Sequence, residues 1–205
     1  MIGIIDYDIG NIMAVGNMLK RIGKQSLVTG DVGALREATH LILPGNGAFD
    51  ACARSLRRSG LFEFLQQQIA DEKKPVLGIC VGAQLLGRSS EEGQEEGLSV
   101  IDMKSKRLAS TSEYRVPNMG WRNVTGKSMA TSFYSPSTDS KFYFTHSYYM
   151  LPSKKDHVFL EASHGIEFAA AVLDENVCGV QFHPEKSHKH GKMLLKAFAE
   201  WAHGC

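Results

Sequence analysis

Short apolar runs alternate with helical patterns through the first part of the chain, and this order restricts the possible folds more than any other feature of the sequence. The runs predict strands at 2–7, 26–29, 40–43 and 75–79. The segments between them have the apolar spacing that is typical of amphipathic helices. Such β-α-β-α order predicts a mainly parallel sheet with helices on both faces. In sheets of this kind ligands bind beyond the carboxyl ends of the strands, so functional residues are expected there.

The pattern changes in the second half of the chain. From Glu91 to about Val177, short runs of β-branched and aromatic residues are separated by turn residues, which favours antiparallel strands. Segments 91–97 and 135–139 are expected to be exposed loops, and helical spacing predicts a closing helix over 192–202. We therefore expect an α/β fold whose mainly parallel central sheet is flanked by helices, with an additional antiparallel, strand-rich region in the C-terminal half.

Length and composition fit one domain, and residues 1–205 are assigned to it as a whole. With 205 residues, of which 43% are hydrophobic, the chain can bury a sizeable core. The formal net charge of +1 gives no electrostatic footprint for nucleic acid. The four cysteines lack C-x-x-C spacing, and neither a secretory signal nor an apolar stretch of membrane-spanning length is visible. We expect a soluble, cytoplasmic protein with reduced cysteines and no membrane contact.

Cys80 has the sequence context of a catalytic nucleophile. It follows an apolar run, lies between Gly78 and Gly82, and precedes a helix-like stretch. The glycines permit a strained strand-to-helix turn that projects the thiol, and the N-terminus of the following helix favours the thiolate. Among the remaining cysteines, Cys52 and Cys178 are expected to be small buried side chains, and Cys205 is expected to be a terminal thiol.

A base and an orienting acid for this nucleophile lie near the other end of the chain. His183 and Glu185 are two residues apart at the end of an apolar strand, with Pro184 between them. In an extended chain residues i and i+2 point to the same side, so the carboxylate can hold one ring nitrogen while the other faces the thiol. The base accepts the thiol proton and later delivers it to the leaving group. We expect Cys80, His183 and Glu185 to form a catalytic triad.

The intermediate of such an attack carries an oxyanion that needs hydrogen-bond donors. The backbone amide of Val81, directly after the nucleophile, is one candidate. A second donor is expected from the loop Pro44-Gly45-Asn46-Gly47, which follows the third predicted strand and whose glycines let a main-chain N–H approach closely. Gly45 and Asn46 are the candidates in this loop.

Motifs along nearly the whole chain carry a resemblance to a known family. The segment from Gly78 to Leu86, together with Phe182-His183-Pro184-Glu185, resembles the triad-type (class I) glutamine amidotransferases. Further motifs, in the same order and spacing, resemble the HisH glutaminase subunits of imidazole glycerol phosphate synthase. These are Ile5-Asp6-Tyr7 with Gly10-Asn11, Leu43-Pro44-Gly45-Asn46-Gly47-Ala48-Phe49, Val116-Pro117-Asn118-Met119-Gly120-Trp121, Tyr143-Phe144-Thr145-His146-Ser147-Tyr148-Tyr149 and His183-Pro184-Glu185-Lys186-Ser187.

The resemblance implies an enzyme that hydrolyses L-glutamine through a Cys80 thioester. It implies that the ammonia passes to a (βα)8 cyclase subunit, HisF, in a heterodimer that makes imidazole glycerol phosphate and AICAR in histidine biosynthesis. No cofactor and no metal are implied. By motif match, three residues should hold substrate glutamine: Gln84, Ser147 and Tyr148. Three others should lie towards the partner: Asn11, Trp121 and Lys186.

Three positions depart from the usual family pattern. Asn46 stands where Val is common, and because Asn tolerates left-handed backbone conformations better, it is expected to alter how readily the loop amide enters the oxyanion hole. Asn118 and Arg122 replace the common His and Asn of the interface motif. These changes leave open a paralogue that supplies ammonia to another acceptor enzyme, such as a sugar amidotransferase of surface polysaccharide synthesis.

Readings from other classes also stay open. One is a catalytically silent glutamine-binding subunit, and another is a cysteine hydrolase that acts alone on a different amide or a peptide. Three proposed substrate contacts can also be interpreted as half-buried polar residues that bind no ligand, namely Gln84, Ser147 and Tyr148. Trp121 can also be interpreted as an aromatic residue of the core. A metal site lacks a recognised ligand spacing, and the remaining histidines of the last segment are expected to be exposed helix residues, namely His188, His190 and His203.

Overall fold

A computed structural model describes residues 1–127 and 134–202 of the chain. His203 and Cys205, for which the sequence predicts an exposed helix residue and a terminal thiol, lie outside the described residues. The strands of the first half are β1 (Ile2–Ile5), β2 (Ser26–Thr29), β3 (His40–Gly45) and β4 (Val76–Cys80). The helices between and after them are α1 (Ile12–Arg21), α2 (Val32–Arg36), α3 (Phe49–Arg58), α4 (Leu61–Ala70) and α5 (Val81–Gln84).

The second half is built mainly of strands. They are β5 (Ser89–Ser90), β6 (Met103–Arg107), β7 (Asn118–Asn123), β8 (Thr125–Gly126), β9 (Lys141–His146), β10 (Tyr148–Pro152), β11 (Val158–Ser163), β12 (Glu167–Asp174) and β13 (Val177–Val180). Two short 3-10 helices, Lys155–His157 and Pro184–Lys186, precede the closing helix α6 (His188–Ala199). Among the described residues, no helix combines the length and the apolar character needed to cross a membrane.

One large sheet joins the two halves. Its main path has the order β2-β1-β3-β4-β13-β12-β10-β6-β5. The first five strands pair in parallel, and from β13 to β6 every pairing is antiparallel. A separate antiparallel pair, β7 with β9, packs beside it. The predicted α/β fold, with a parallel centre and an antiparallel C-terminal region, is confirmed.

Several element boundaries differ from the predicted ones. The long helical region after β3 is two helices, because Gly60 adopts a left-handed φ of +72° that ends α3 and starts α4. The helix after Cys80 begins at Val81 and is only one turn long. The closing helix begins at His188, four residues before the predicted start, since the apolar stripe on which the prediction rests covers only its later turns.

Parallel pairing places the candidate residues of the first half together. Gly45, the last residue of β3, lies opposite Cys80, the last residue of β4. The last residues of both strands therefore meet at one edge of the sheet, as the strand order predicted. β13 pairs with β4 on its other side and carries the chain towards His183. The core beneath this edge is dense, with all four residues from Val76 to Ile79 buried.

Candidate active site

Cys80 lies in a strained turn between β4 and α5. Its φ of 56° and ψ of −112° are rare for a residue with a side chain. The turn is possible because neighbouring glycines allow close packing: a Cβ at Gly78 would come within 2.7 Å of Ala83 Cα, and a Cβ at Gly82 would collide with the Leu43 carbonyl. This is the geometry expected for a nucleophile that is projected from a sharp turn.

His183 and Glu185 form a buried pair. The Nδ1 atom of His183 lies 2.8 Å from the Oε1 atom of Glu185, and the Glu185 side chain is 1% exposed. β13 ends three residues before His183, so the two residues do not share a strand as expected. His183 is extended, and Glu185 reaches back to it from the first turn of the 3-10 helix that Pro184 begins. Their proximity confirms the prediction that the carboxylate holds the ring.

The backbone around His183 is also held in place. Its N–H donates to the Tyr143 carbonyl at 2.9 Å, and the Ser187 hydroxyl donates to the His183 carbonyl at 2.6 Å. The same hydroxyl accepts the Tyr143 N–H at 3.0 Å. The imidazole is thus fixed both through its ring and through its main chain.

Interactions with its neighbours keep His183 protonated. Burial by itself lowers the pKa of His183, but the interactions with Cys80 and Glu185 outweigh burial and raise the pKa from 6.5 to about 9. The Cys80 sulfur therefore lies within electrostatic reach of the ring. The second ring nitrogen, Nε2, is buried and makes no well-formed hydrogen bond within the described part of the chain. Because Nδ1 is held by Glu185, Nε2 is the ring nitrogen that can exchange a proton with Cys80 or with a bound ligand.

A cavity of about 660 Å³ opens at this edge of the sheet. Its lining brings together nine of the twelve residues singled out from the sequence: Asn11, Asn46, Cys80, Val81, Gln84, Ser147, Tyr148, His183 and Lys186. Glu185 lies behind His183, and Gly45 packs against the start of α5, where a Cβ would collide with the Gly82 nitrogen. The exposed Trp121 lies outside this lining.

A short hydrogen-bond network connects the antiparallel side of the cavity to the nucleophile. The Gln84 amide donates to the Tyr148 carbonyl at 3.1 Å and to the Gln181 side-chain oxygen at 3.2 Å. The Gln181 amide in turn donates to the Cys80 sulfur at 3.9 Å. Gln84 and Gln181 are both buried. Sequence reasoning missed Gln181, whose position two residues before His183 on the same chain segment was the available signal.

A size-limited cavity with a thiol, a protonated imidazole and a buried carboxylate fits hydrolysis of a small amide, and the comparisons with known proteins agree. The family model for class-I glutamine amidotransferases matches residues 5–201. The chain belongs to the class-I glutamine amidotransferase family. A Pseudomonas aeruginosa relative named imidazole glycerol phosphate synthase subunit HisH 2 is 47% identical, with coverage of 98% of this chain and 99% of the relative.

A second relative supports the same family, and a solved structure shares the fold. A Methanococcus maripaludis protein, also named imidazole glycerol phosphate synthase subunit HisH 2, is 40% identical over 98% of this chain and 100% of its own. A crystal structure described as a glutamine amidotransferase superposes with a TM-score of 0.77 at 17% identity, covering 98% of this chain and 97% of that chain. At that identity the superposition shows a shared fold alone.

In this class-I glutamine amidotransferase, we call residues 44–47, from which the second oxyanion donor is expected, the oxyanion loop. Its left-handed residue is Gly47, with a φ of +86°, and Asn46 does not adopt a positive φ. The expected advantage of Asn over Val at this position therefore has no counterpart in the conformation observed. The Asn46 side of the loop lines the cavity close to Cys80. The prediction that Asn46 alters formation of the oxyanion hole stays a prediction.

The other two departures from the family pattern are engaged within the chain. Asn118 is fully buried, and its amide nitrogen lies 2.9 Å from Nε2 of His146. The other ring nitrogen of His146 lies 2.8 Å from the Tyr148 carbonyl. Arg122 contacts Nδ1 of His164 at 3.3 Å. Burial is the main cause that lowers the pKa of His146 to about 4, so this histidine is neutral at physiological pH and supports the cavity wall.

Two of the three residues predicted to face a partner line the cavity of the amidotransferase, and the third is exposed on β7. Asn11 and Lys186 line the cavity. Trp121 is 42% exposed, stacks on the His188 ring at 5.5 Å and contacts Tyr143 edge-on. The alternative reading of this tryptophan as a core residue is therefore wrong. An exposed aromatic held rigid by a second ring is typical of an interface anchor.

The acidic segment 91–97 contributes a cavity residue that the sequence reading missed. Glu92 lines the cavity, and its carboxylate accepts the Phe49 N–H at the start of α3 with a distance of 2.7 Å. Asp50 accepts the N–H groups of Gln94 and Glu95, which holds the segment against the same helix. The segment is a largely exposed loop as predicted, yet one acidic side chain is fixed at the site.

Histidines and cysteines outside the site follow the predictions with one exception. Cys52 and Cys178 are fully buried and His188 is exposed, as expected. His190 is half-buried with its ring 6.1 Å from Phe142, because α6 begins early enough to turn this residue towards the core. Within residues 1–127 and 134–202 there is no group of three or more His, Cys, Asp or Glu side chains able to hold a metal ion.

Proposed function

We propose that this protein is a glutaminase subunit that hydrolyses L-glutamine to glutamate and ammonia through a thioester at Cys80. The single observation that carries the proposal is that Cys80, on its strained turn, lines the same cavity as a His183 ring that Glu185 holds at 2.8 Å. This arrangement supports the roles of nucleophile, base and orienting acid for the three residues, beside a cavity of the right size for an amino acid. No metal ion or organic cofactor takes part in the steps that follow.

The reaction starts with attack of the Cys80 sulfur on the side-chain carbonyl carbon of glutamine. The proton lost by the thiol resides on His183, whose raised pKa favours the imidazolium. Collapse of the tetrahedral intermediate breaks the carbon–nitrogen bond, and His183 gives its proton to the leaving ammonia. Water then attacks the thioester while His183 accepts a proton, and glutamate leaves with the sulfur restored.

Backbone amides stabilise the oxyanion in both tetrahedral intermediates. We assign one donor to the N–H of Val81, the residue that follows the nucleophile at the start of α5. The second donor comes from the oxyanion loop, where Gly45 lies opposite Cys80 in the sheet and Asn46 lines the cavity. Of these two, Asn46 is the residue nearer to the open space that the substrate carbonyl must occupy.

The antiparallel side of the cavity holds the substrate. Ser147 and Tyr148 line it from β10 and the turn before it, and Gln84 ties Tyr148 to α5. Glu92 lies on the same cavity, and its carboxylate suits the α-ammonium group of glutamine. Free glutamine can place its side-chain amide at Cys80 and its α-ammonium group at Glu92. A glutamine inside a peptide chain has no free α-ammonium group and would leave the Glu92 subsite empty, so the site selects the free amino acid.

The partner is a HisF-type (βα)8 cyclase subunit with which this chain forms a heterodimer in the cytoplasm. Relatives that are 47% and 40% identical carry the name of an imidazole glycerol phosphate synthase subunit, which supports this partner and a role in histidine biosynthesis. The exposed Trp121 and the cavity-lining residues Asn11 and Lys186 form the proposed contact surface. Ammonia released at the cavity would then pass directly into the cyclase to form imidazole glycerol phosphate and AICAR.

Release of ammonia from L-glutamine, measured with and without the cyclase subunit, tests the glutaminase proposal. The native protein should release ammonia in the complex, and Cys80→Ala should lose at least about 1,000-fold in kcat because no thioester can form. Cys178→Ala, which also removes one buried sulfur but away from the cavity, is the matched control. Full activity of Cys80→Ala would overturn the proposal, and an inactive native complex would favour the silent glutamine-binding subunit.

The choice of acceptor needs a second arm of the same experiment. Coupled synthesis of imidazole glycerol phosphate should follow when the cyclase and its nucleotide substrate are present. Asn118 and Arg122, the two residues that raised the possibility of a different acceptor, both contact histidines of this chain, which weakens their case as partner-specific changes. Ammonia release without any transfer to the cyclase product would instead favour a paralogue that serves another amidation enzyme.

A further inference from the structure

Two buried side chains hold the oxyanion loop from the side away from the cavity. The Tyr7 hydroxyl donates to the Pro44 carbonyl at 2.6 Å. The Cys52 thiol donates to the Asn46 carbonyl at 3.3 Å. Tyr7 is 1% exposed and Cys52 is fully buried, so neither hydrogen bond competes with bulk water.

These two hydrogen bonds lie on either side of one peptide unit. The carbonyl of a residue and the N–H of the next point in opposite directions across a trans peptide. Anchoring the Pro44 and Asn46 carbonyls therefore sets the orientation of the peptides before and after the Gly45–Asn46 peptide. The Gly45–Asn46 peptide carries the Asn46 N–H, the donor assigned to the oxyanion. Its orientation depends on where its two neighbours are held.

The anchors come from two different parts of the fold. Tyr7 follows β1, and Cys52 lies on α3, whose Ser55 hydroxyl donates to the Tyr7 carbonyl at 2.7 Å. Tyr7 is thereby fixed to the same helix that carries Cys52. The conformation of the loop is set by packing among β1, α3 and the end of β3.

Both anchors keep their protons at physiological pH. Burial, with a smaller effect of the nearby Cys52, raises the pKa of Tyr7 well above its ordinary value. Burial likewise raises the pKa of the Cys52 thiol from 9.0 to about 11. Each side chain therefore remains a hydrogen-bond donor to its loop carbonyl at physiological pH.

We propose that Tyr7 and Cys52 are positioning residues that aim the Asn46 N–H at the oxyanion of the tetrahedral intermediate. This inference rests on the proposed glutaminase function, since the oxyanion arises only in that reaction. Neither residue touches the substrate, and each acts through a loop carbonyl. Loss of an anchor misdirects a donor that is needed in the transition state, so it lowers kcat more than it changes KM.

The first test compares two reactions of Cys80 in Tyr7→Phe, measured in the complex with the cyclase. Hydrolysis of glutamine passes through an oxyanion, whereas alkylation by iodoacetamide displaces iodide from a saturated carbon and forms none. Tyr7→Phe keeps the ring and removes only the hydroxyl. It should lower kcat for glutamine about 10-fold, with KM within about twofold. The rate of Cys80 alkylation, followed by mass spectrometry, should stay at the native value.

The second test uses a pair of substitutions at Cys52. Cys52→Ser keeps a donor at this position and should retain most of the native kcat, whereas Cys52→Ala removes the donor and should lower kcat about 5-fold. Cys178→Ala again controls for the loss of a buried sulfur, because Cys178 lies on β13 away from the loop. Thermal unfolding of each variant reports whether it folds. If Tyr7→Phe does not fold, the Cys52 pair decides the question.

Specific results would overturn the inference. Native kcat in both Tyr7→Phe and Cys52→Ala would show that the loop needs no anchors. A parallel fall in hydrolysis and in alkylation would show a disturbed triad in place of a misdirected oxyanion donor. Equal kcat in Cys52→Ser and Cys52→Ala would exclude a role for the thiol as donor. Failure of the glutaminase proposal is distinguishable, because then the native complex itself would release no ammonia from glutamine.

Discussion

The parallel and antiparallel parts of the sheet contribute different things to the same cavity. The parallel strands bring backbone geometry: Cys80 on a strained turn, and beside it the oxyanion loop that follows β3. The antiparallel region brings side chains to the cavity wall, namely Ser147 and Tyr148. The separate β7–β9 pair beside it carries the exposed Trp121, which lies outside the cavity lining. β13 lies at the boundary, because it is parallel to β4 and antiparallel to β12. The chain continues from β13 to His183, which lines the cavity between the two parts.

This difference indicates that the parallel part of the sheet carries the proposed chemistry and that the antiparallel region carries the proposed recognition of substrate and partner. Strand ends in a parallel sheet converge on one edge whatever their side chains, so reactive groups placed there meet reliably. The walls and outer surfaces of an antiparallel region vary with little effect on that convergence. We expect variants in the parallel part to change kcat and variants in the antiparallel region to change KM, partner affinity or stability.

After loss of Cys80 itself, the largest expected effect concerns Glu185, the residue proposed to orient the base. Glu185→Gln removes the buried charge that helps to raise the pKa of His183 to about 9, and we expect kcat to fall by roughly 100- to 1,000-fold. The alkaline limb of the pH profile should move to lower pH. The stabilisation of the native fold by this raised pKa is present below pH 6.5 and is lost as the pH rises through 9. Glu167→Gln, at an exposed position of β12, should change neither quantity.

The next effect sharpens the comparison at the partner surface. Trp121→Ala should weaken binding of the cyclase by about 2 kcal/mol, or roughly 30-fold in Kd, because we propose that this exposed aromatic, which stacks on His188, anchors the interface. Titration calorimetry measures this change. Ile166→Ala, which also removes an exposed apolar side chain, should leave Kd unchanged. Unchanged Kd in Trp121→Ala would place the interface elsewhere.

A third test separates His146 from the catalytic base. Its pKa is about 4 in the folded state against 6.5 as the ordinary value, so the stability associated with the neutral ring is present above pH 6.5 and is lost as the pH falls through 4. Between pH 7 and pH 5 the native protein should lose about 2 kcal/mol more unfolding free energy than His146→Gln. Urea unfolding at both pH values measures this, with the exposed His188→Gln as control.

The smallest effect concerns substrate selection. Glu92→Gln should raise KM for glutamine about 10-fold with little change in kcat, because the substrate ammonium would lose a charged partner in the ground state and the transition state alike. Steady-state kinetics of ammonia release measures both constants. Glu96→Gln, in the same loop and outside the cavity lining, is the matched control. A fall in kcat with KM unchanged would instead assign segment 91–97 a role in the chemical step, against the division between chemistry and recognition.

Much of the site could be predicted because it depends on local patterns. The glycines around Cys80 and the two-residue spacing of His183 and Glu185 both involve neighbours in the chain, and the structure brings these residues together as expected. The roles of Glu92 and Gln181 depend on contacts that local patterns encode only in part. Gln181 lies two residues before His183, but Glu92 is held by the N–H of Phe49 and Gln181 contacts the cavity residue Gln84, and both contacts join segments far apart in sequence.

The amino-acid sequence by itself determined the alternation of strands and helices in the first half, the turn that carries Cys80, and the family. It did so because hydrophobic period, glycine placement and short motifs are properties of neighbouring residues. Only the tertiary structure decided that Asn118 supports a buried histidine, that Trp121 is exposed, and that Tyr7 and Cys52 hold the oxyanion loop. The physical reason is that burial and hydrogen-bond partners are set when distant segments pack, and no local pattern encodes which segments will meet.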